Sequence, residues 1–404
     1  MGAMPTPNSA ALESVGLVTA MGAGVDSSLP RLVGGDTRGM VSRAGLLPDR
    51  ELLVGAVTAH LPPIGDELAI YRCRNNQLAL LALSQIRKAV EAALDRFGPA
   101  RIAVVAATST SGTAETGEAV RQRLASGRLP REFHYVQFEH GGLASFLAAS
   151  IGAEGPAYTV STACSSSAKA LVSARSLLRL GLCDAVIAGG VDSLCPLTAC
   201  GFTALEAISP TRSNPMSRNR RGLNLGEAAA LFLMTREGGG IQLRGAGESS
   251  DHHHMSAPDP SGGGAELAMR AALVDAEAEG GDILYLNLHG TGTPLNDAME
   301  SKAVERVLGT SVPCSSTKPM TGHTLGAAGA AEIAFCWMML ESERRGEIRL
   351  APHVFDGDRD GDLPAIRLVQ RGESARARGR RLLMSNAFGF GGNNCSVILE
   401  RSDA

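Results

Sequence analysis

Ser161-Thr162-Ala163-Cys164-Ser165-Ser166-Ser167 stands between two runs of different period. Ala157-Tyr158-Thr159-Val160 before it is rich in strand formers. Ala168, Leu171, Ala174 and Leu178 after it recur at helical spacing, and Gly181 follows as a stop. The pattern predicts a sharp strand-to-helix turn with Cys164 at the mouth of the helix. Unpaired helix N–H groups favour a thiolate there, so a free-cysteine pKa of about 8.5 is expected to fall. The plainer reading is a small buried residue, as many unpaired cysteines are.

Working outward, 404 residues with 44% hydrophobic content, 48 glycines and only 4% aromatics describe a turn-rich α/β protein of small side chains. A net charge of −3 gives no global basic field for nucleic acid. The eight cysteines form no Cys-x-x-Cys pair, which fits free thiols in a reducing cytosol. Met1–Asn8 lacks the basic and apolar regions of a signal peptide, and Met1-Gly2-Ala3-Met4 reads as an expression remnant before a native start. The longest apolar run, around 327–340, is broken by Glu332 and is too short to span a bilayer. A cytoplasmic protein is expected.

Along the chain, strands are predicted over 14–18, 102–107 and 185–190, with a helix from Asn75 to Phe97 ended by Gly98-Pro99. Thr108–Gly117 is read as a loop, either a plain turn or one bringing backbone close to a ligand or partner chain. Residues 231–234 and 241–243 read as a strand pair around Gly238-Gly239-Gly240. The rhythm then repeats: helix 265–279, strand 283–288, helix 297–308, strand 312–316, a Gly-rich turn and a helix from Thr324 to Glu341. Strand, Ser-Thr, turn and helix occur at Ser161-Thr162 and again at Ser316-Thr317. The echo points to a duplicated α/β fold with both turns on one cleft. We divide it into residues 11–245, carrying the cysteine, and 246–404, carrying two histidines, as one integrated fold.

His289 opens His289-Gly290-Thr291-Gly292-Thr293-Pro294 after a strand, and His323 lies in Gly322-His323-Thr324-Leu325-Gly326 at the mouth of a helix. Glycines beside each histidine allow close approach of a substrate. Either histidine alone would more often be structural. With Cys164, they make a nucleophile and two imidazoles, a set suited to acyl transfer.

These stretches, with Lys318 ahead of His323 and Asn386-Ala387-Phe388-Gly389-Phe390-Gly391-Gly392-Asn393-Asn394, resemble the β-ketoacyl-acyl-carrier-protein synthases of types I and II, the Cys-His-His branch. The resemblance runs in order from about residue 11 to 400. It implies a thiolase-like fold with five α-β-α-β-α layers. It also implies decarboxylative Claisen condensation, in which Cys164 carries an acyl group and malonyl-acyl-carrier protein loses CO2 to supply the attacking enolate. On it, His289 and His323 stabilise the enolate, Lys318 and Glu332 steady them, and backbone N–H groups of Cys164 and Phe390 form an oxyanion hole. Phe390 would gate the acyl pocket, Thr291 and Thr293 would bind the pantetheine arm, and Phe202, Phe388 and Gly391 would line the substrate site. The segment 289–302 looks most like ketosynthases of aryl-polyene pathways.

Two segments depart from the family. Arg220-Arg221-Gly222-Leu223 replaces Arg-Asp-Gly-Phe, and Gly226-Glu227-Ala228-Ala229 replaces Gly-Glu-Gly-Ala. Acyl carrier protein, being acidic, needs a local basic patch on an enzyme of −3 charge. Arg72, Arg74, Arg212, Arg218, Arg220 and Arg221 are candidates, or else ordinary solvated surface. The triplet His252-His253-His254 has no supporting ligand spacing, so no metal or bound cofactor is expected. A dimer is implied, either of identical chains or with a chain-length-factor-like subunit. The alternative function is that of such a non-elongating subunit, which lacks the cysteine. A thiolase would need a C-terminal Cys-x-Gly, which Cys395-Ser396-Val397 is not.

Overall fold

The computed structural model describes residues 10–236, 238–377 and 379–402. The segment Met1–Asn8, read above for targeting, lies outside them. Ten strands form two sets. The first holds β1 (Ala10–Thr19), β2 (Ile102–Ala107), β3 (Ala157–Val160), β4 (Ala185–Asp192) and β5 (Ala228–Thr235), in the order β3-β2-β4-β5-β1. The second holds β6 (Ile241–Ser250), β7 (Ile283–Asn287), β8 (Cys314–Ser315), β9 (Arg381–Gly389) and β10 (Asn393–Arg401), in the order β8-β7-β9-β10-β6. Each set is therefore ordered third, second, fourth, fifth, first. In each, the fifth strand runs antiparallel to both neighbours while the others pair in parallel. The internal duplication inferred from the Ser-Thr echo is thus written in the strand order. β6 starts at Ile241 and crosses residue 245 without a break.

The expected strand pair around Gly238–Gly240 is not formed. β1 lies between β5 and β6, pairing Leu17 with Ala230 on one side and Ala10 with Leu243 on the other. β5 is already paired along its length with β4 and β1, so it has no free edge for β6.

Six helices build three layers around these sheets: α1 (Arg74–Phe97), α2 (Gly141–Ile151), α3 (Ser166–Arg179), α4 (Gly263–Ala276), α5 (Pro294–Leu308) and α6 (Ala328–Glu341). α1 turns Leu78, Leu83, Ile86 and Val90 onto the outer face of the first sheet, where Leu143, Phe146 and Leu147 of α2 join them. α4 and α5 cover the second sheet with Ala265, Met269, Ala272, Met299, Ala303 and Val304. Between the sheets, Leu171, Ala174 and Leu178 of α3 share a core with Ile333, Phe335 and Met339 of α6. The result is the five-layer α-β-α-β-α arrangement. α6 is buried all round, which explains its nearly continuous apolar sequence.

Small residues let the two central helices approach at their N-terminal ends. A Cβ on Gly329 would stand 2.7 Å from the Ala168 backbone nitrogen, and one on Gly190 would stand 2.5 Å from Ser167 Cβ. The Ala330 N–H donates to Ser167 Oγ across the same contact at 2.8 Å. This approach brings the loops ahead of α3 and α6 together.

Candidate active site

Ala163 holds φ +53°, a conformation that tilts the chain between β3 and α3 and leaves Cys164 at the turn. In the second half, Leu325 holds the same φ of +53° before α6. Ala163 stands three residues ahead of α3, and Leu325 three ahead of α6. By that spacing Gly326, not His323, is the counterpart of Cys164. The second turn is longer, with a short helix Lys318–Thr321 inserted after β8. The two loops are therefore not copies. The insertion carries Lys318 and His323 out over the first turn.

There His323 Nε2 lies 3.0 Å from Cys164 Sγ. The rings of His289 and His323 meet edge to face at 5.3 Å and 84°, and Phe388 lies 6.1 Å from His289 on its other side. Cys164, His289 and His323 are all buried. Burial, and next the Lys318 ammonium, push both imidazoles well below their usual value, so both are neutral. The thiol departs from expectation. Burial pushes Cys164 up to about 11, against the opposing pull of Lys318 and of the Phe390 N–H. Burial outweighs the helix N-terminus, with His323 and the Phe390 N–H of the second half standing against the sulfur.

Lys318 is fully buried, donates to the His289 carbonyl, and pairs with Glu332 Oε1 at 2.5 Å. Burial raises Glu332 to about 7 despite that partner. Three supporting carboxylates were not singled out by the sequence. Glu300 accepts the backbone N–H groups of His289 and Gly290, each at 2.7 Å, and is raised by burial to about 7. Asp297, one turn earlier on α5, accepts from Met216 and Gly292 N–H. Two acids at (i, i+3) just after a His-Gly-Thr-Gly-Thr turn are the signal that could have found them.

Asp192 at the end of β4 is the third. Its carboxylate accepts from Thr108 Oγ1, from Ser109 N and Oγ, and from Thr110 N and Oγ1, all at 2.7–2.8 Å. It also accepts the Ala327 N–H at 3.2 Å. Of the expected loop Thr108–Gly117, the part at Thr108–Thr110 brings its backbone close to a carboxylate of its own chain, whereas Thr113–Gly117 is the start of a helix, Thr113–Ser126. Gly326 fits only because it lacks a Cβ, which would meet Asp192 Oδ2 at 2.7 Å.

A cavity of about 470 Å3 opens over the three central residues and is also lined by Phe202, Thr291, Thr293, Phe388 and Phe390. Phe202 and Phe390 stack obliquely at 5.5 Å, and Thr291 and Thr293 hydroxyls lie 3.0 Å apart. Gly389 packs against the backbone of Cys164 and Ser165, and Gly391 takes φ +79°, so the loop can pass over the sulfur. The Gly391 N–H is held by the Met255 carbonyl, next to the exposed His252–His254 segment at the cavity mouth.

The six arginines divide. Arg74 is bound through two nitrogens to buried Glu227 at 2.7 and 2.8 Å, and Arg220 is tied to Asp360 at 2.5 Å with its side chain largely buried. Neither is a free surface cation, which corrects the expectation for both. Arg72 pairs with Asp66. Arg212, Arg218 and Arg221 are exposed and have no ion-pair partner among the described residues, and Arg221 borders the cavity. No helix among the described residues is long and apolar enough to cross a membrane.

Residues 74–238 match the β-ketoacyl synthase N-terminal domain, and residues 241–345 match the β-ketoacyl synthase C-terminal domain. Nodulation protein E of Rhizobium meliloti is 32% identical over 363 residues, covering 86% of this chain and 88% of its own length. The 3-oxoacyl-(acyl-carrier-protein) synthase 2 of Rhizobium meliloti (strain 1021) is 37% identical over 266 residues, 61% of each chain. A chain from the complex of the ketosynthase ApeO with its chain length factor ApeC, from Xenorhabdus doucetiae, is similar over 100% of both chains, with 43% identity and a TM-score of 0.92. The chain belongs to the β-ketoacyl synthase family and is a condensing enzyme of the β-ketoacyl-acyl-carrier-protein synthase class.

Proposed function

We propose that Cys164 takes an acyl group from the phosphopantetheine of an acyl carrier protein, its sulfur attacking the thioester carbon while His323 receives the thiol proton and passes it to the departing pantetheine thiol. Malonyl-acyl-carrier protein then loses CO2. His289 and His323, as neutral donors, hold the enolate oxygen that forms. The enolate carbon attacks the Cys164 thioester, the N–H groups of Cys164 and Phe390 hold the tetrahedral oxyanion, and collapse returns the Cys164 thiolate and releases a β-ketoacyl-acyl-carrier protein. In this reading Lys318 and Glu332 fix the His289 loop. Phe390 gates the pocket against Phe202, and Thr291 and Thr293 hold the pantetheine arm beside Phe388 and Gly391.

The observation that carries the reading is the 3.0 Å approach of His323 Nε2 to Cys164 Sγ beside a second neutral imidazole. The test is incubation with acyl- and malonyl-acyl-carrier protein: the protein should gain the acyl mass on Cys164 and release CO2. Cys164→Ala that keeps full condensing activity overturns it.

The X. doucetiae neighbour, a ketosynthase solved with its chain length factor, supports a two-subunit assembly here, with this chain as the subunit that carries the nucleophile. We also propose placement among the aryl-polyene ketosynthases, on the likeness carried by residues 289–302. Arg212, Arg218 and Arg221 form the proposed dock for the acidic carrier, and a cytosolic site of action without a resident cofactor completes the proposal. We also read the chain as two integrated halves, with the division best set ahead of Ile241 so that β6 stays whole.

A further inference from the structure

Cys164 Sγ, a ring nitrogen of His289 and a ring nitrogen of His323 all lie within 4.8 Å of one another. Sulfur and two imidazole nitrogens are the donor types that select zinc and its borderline-soft neighbours. Bond lengths of about 2.0–2.3 Å put the ligand atoms of a tetrahedral ion roughly 3.5 Å apart. Cys164 and His323 stand at 3.0 Å, somewhat closer than that spacing, and the three ligand atoms span no more than 4.8 Å, so small side-chain shifts would bring the set to it. All three residues border the cavity, which offers an entry path and room for a water as fourth ligand. All are also at least nine-tenths buried, so a bound ion would be shielded from competing water. The Lys318 charge behind them is paired with Glu332, which tempers its repulsion of a cation.

We propose that the Cys164–His289–His323 constellation is an inhibitory binding site for a thiophilic divalent cation such as zinc, occupied only while the sulfur carries no acyl or alkyl group. On binding, the sulfur–metal bond forms as the thiol proton leaves to solvent; nothing is oxidised or reduced. The ion blocks the sulfur and both imidazoles at once, so it opposes any reaction at the cavity. The inference rests on ligand geometry and does not depend on which acyl substrate the enzyme takes.

Cobalt(II) titration of the full chain tests it, because a cysteine ligand gives a near-ultraviolet thiolate-to-cobalt charge-transfer band. We expect that band at one equivalent, its bleaching by zinc, and protection of Cys164 from iodoacetamide by zinc, about tenfold or more, reversed by a chelator. Prior alkylation of Cys164 should abolish the band. Cys164→Ala and His289→Ala, each shown to be folded by circular dichroism, should lose it. The exposed triplet is the control: changing His252, His253 and His254 together to alanine should leave it unchanged. No charge-transfer band at excess cobalt, a band that survives in Cys164→Ala, or a band lost with the loop triplet would each overturn the proposal.

Discussion

Nε2 of His323 stands 3.0 Å from Sγ of Cys164 across 159 residues of sequence. The contact joins the two halves of the duplicated fold, and it exists because α3 and α6 meet through Ala168 and Gly329 without intervening side chains. A thiol raised to about 11 beside a neutral imidazole is a proton donor paired with its acceptor, not a preformed ion pair.

That pairing predicts how the free enzyme reacts with iodoacetamide. With the thiol raised, thiolate is scarce at neutral pH, so alkylation of Cys164 should rise about tenfold per pH unit from pH 7 upward. A rate already level at pH 7 would mean a resting thiolate. His323→Ala removes the proton acceptor and should slow acylation of Cys164 by about 10²- to 10⁴-fold. Intact-protein mass spectrometry reads both.

His289 touches neither the sulfur nor its proton by hydrogen bond, and its proposed work begins with the enolate. His289→Ala should lower CO2 release from malonyl-acyl-carrier protein by about 10²- to 10³-fold. Acylation of Cys164 should change far less. Equal loss of both steps would remove the division of labour between the two histidines.

Glu300 gives a pH-dependent stability. Its folded pKa of about 7 lies above the ordinary carboxylate value, so the native state favours the proton. The stability this group contributes is therefore full at pH below about 4 and is lost as pH rises through 7, with a slope of at most about 1.4 kcal/mol per pH unit. Glu300→Gln removes that titration. The difference in unfolding free energy, wild type minus variant, should fall between pH 4 and 7; a difference that rises or stays level contradicts the buried, raised carboxylate.

Cys164, His289 and His323 were legible because each sits where a periodic run stops against glycine or hydroxyl residues. Asp192 was not, because it acts on a backbone N–H 82 residues back along the chain and leaves no local pattern; Glu300 lies 10 residues beyond the Gly290 N–H it accepts, and its spacing from Asp297 is the local trace it leaves. α2 escaped the reading for another reason. Gly141-Gly142-Leu143-Ala144-Ser145-Phe146-Leu147-Ala148 has little polar face, so a buried helix shows no amphipathic period. The strand pair at Gly238–Gly240 failed because local turn chemistry cannot show that β1 occupies the edge between. The sign of the thiol shift failed likewise: the helix terminus is local, whereas the burial that outweighs it involves groups of the other half of the chain.

The close approach of the central helices sets a packing prediction. Gly329→Val forces a branched side chain against the Ala168 backbone nitrogen, 2.7 Å from where its Cβ must lie. Overpacking of this kind costs about 1–3 kcal/mol, and here it also pries apart the loops that hold Cys164 and His323. The variant should melt several degrees lower and show slower acylation of Cys164. Unchanged melting would contradict the tight contact between Gly329 and Ala168.

The division among the arginines gives opposite outcomes for similar substitutions. Arg212, Arg218 and Arg221 are exposed and form no ion pair among the described residues, so changing each to Glu should raise KM for the carrier-linked substrate while kcat and melting temperature hold. The loss should shrink as salt is added, since exposed charges about 8–10 Å apart are already screened at physiological ionic strength. Arg74→Ala should behave differently. It removes two guanidinium nitrogens, at 2.7 and 2.8 Å, from the buried Glu227 carboxylate and leaves it the more distant Arg43 at 3.9 Å and the Val57 N–H. Removing one partner of a buried pair costs about 3–5 kcal/mol, although partial exposure of Arg74 places it toward or below the lower end. Melting should therefore drop while KM for the carrier stays level in the protein that remains folded. Carrier titrations at two salt concentrations, set beside melting curves, separate the two groups; a salt-sensitive KM in Arg74→Ala, or none in Arg221→Glu, would move the dock away from the cavity mouth.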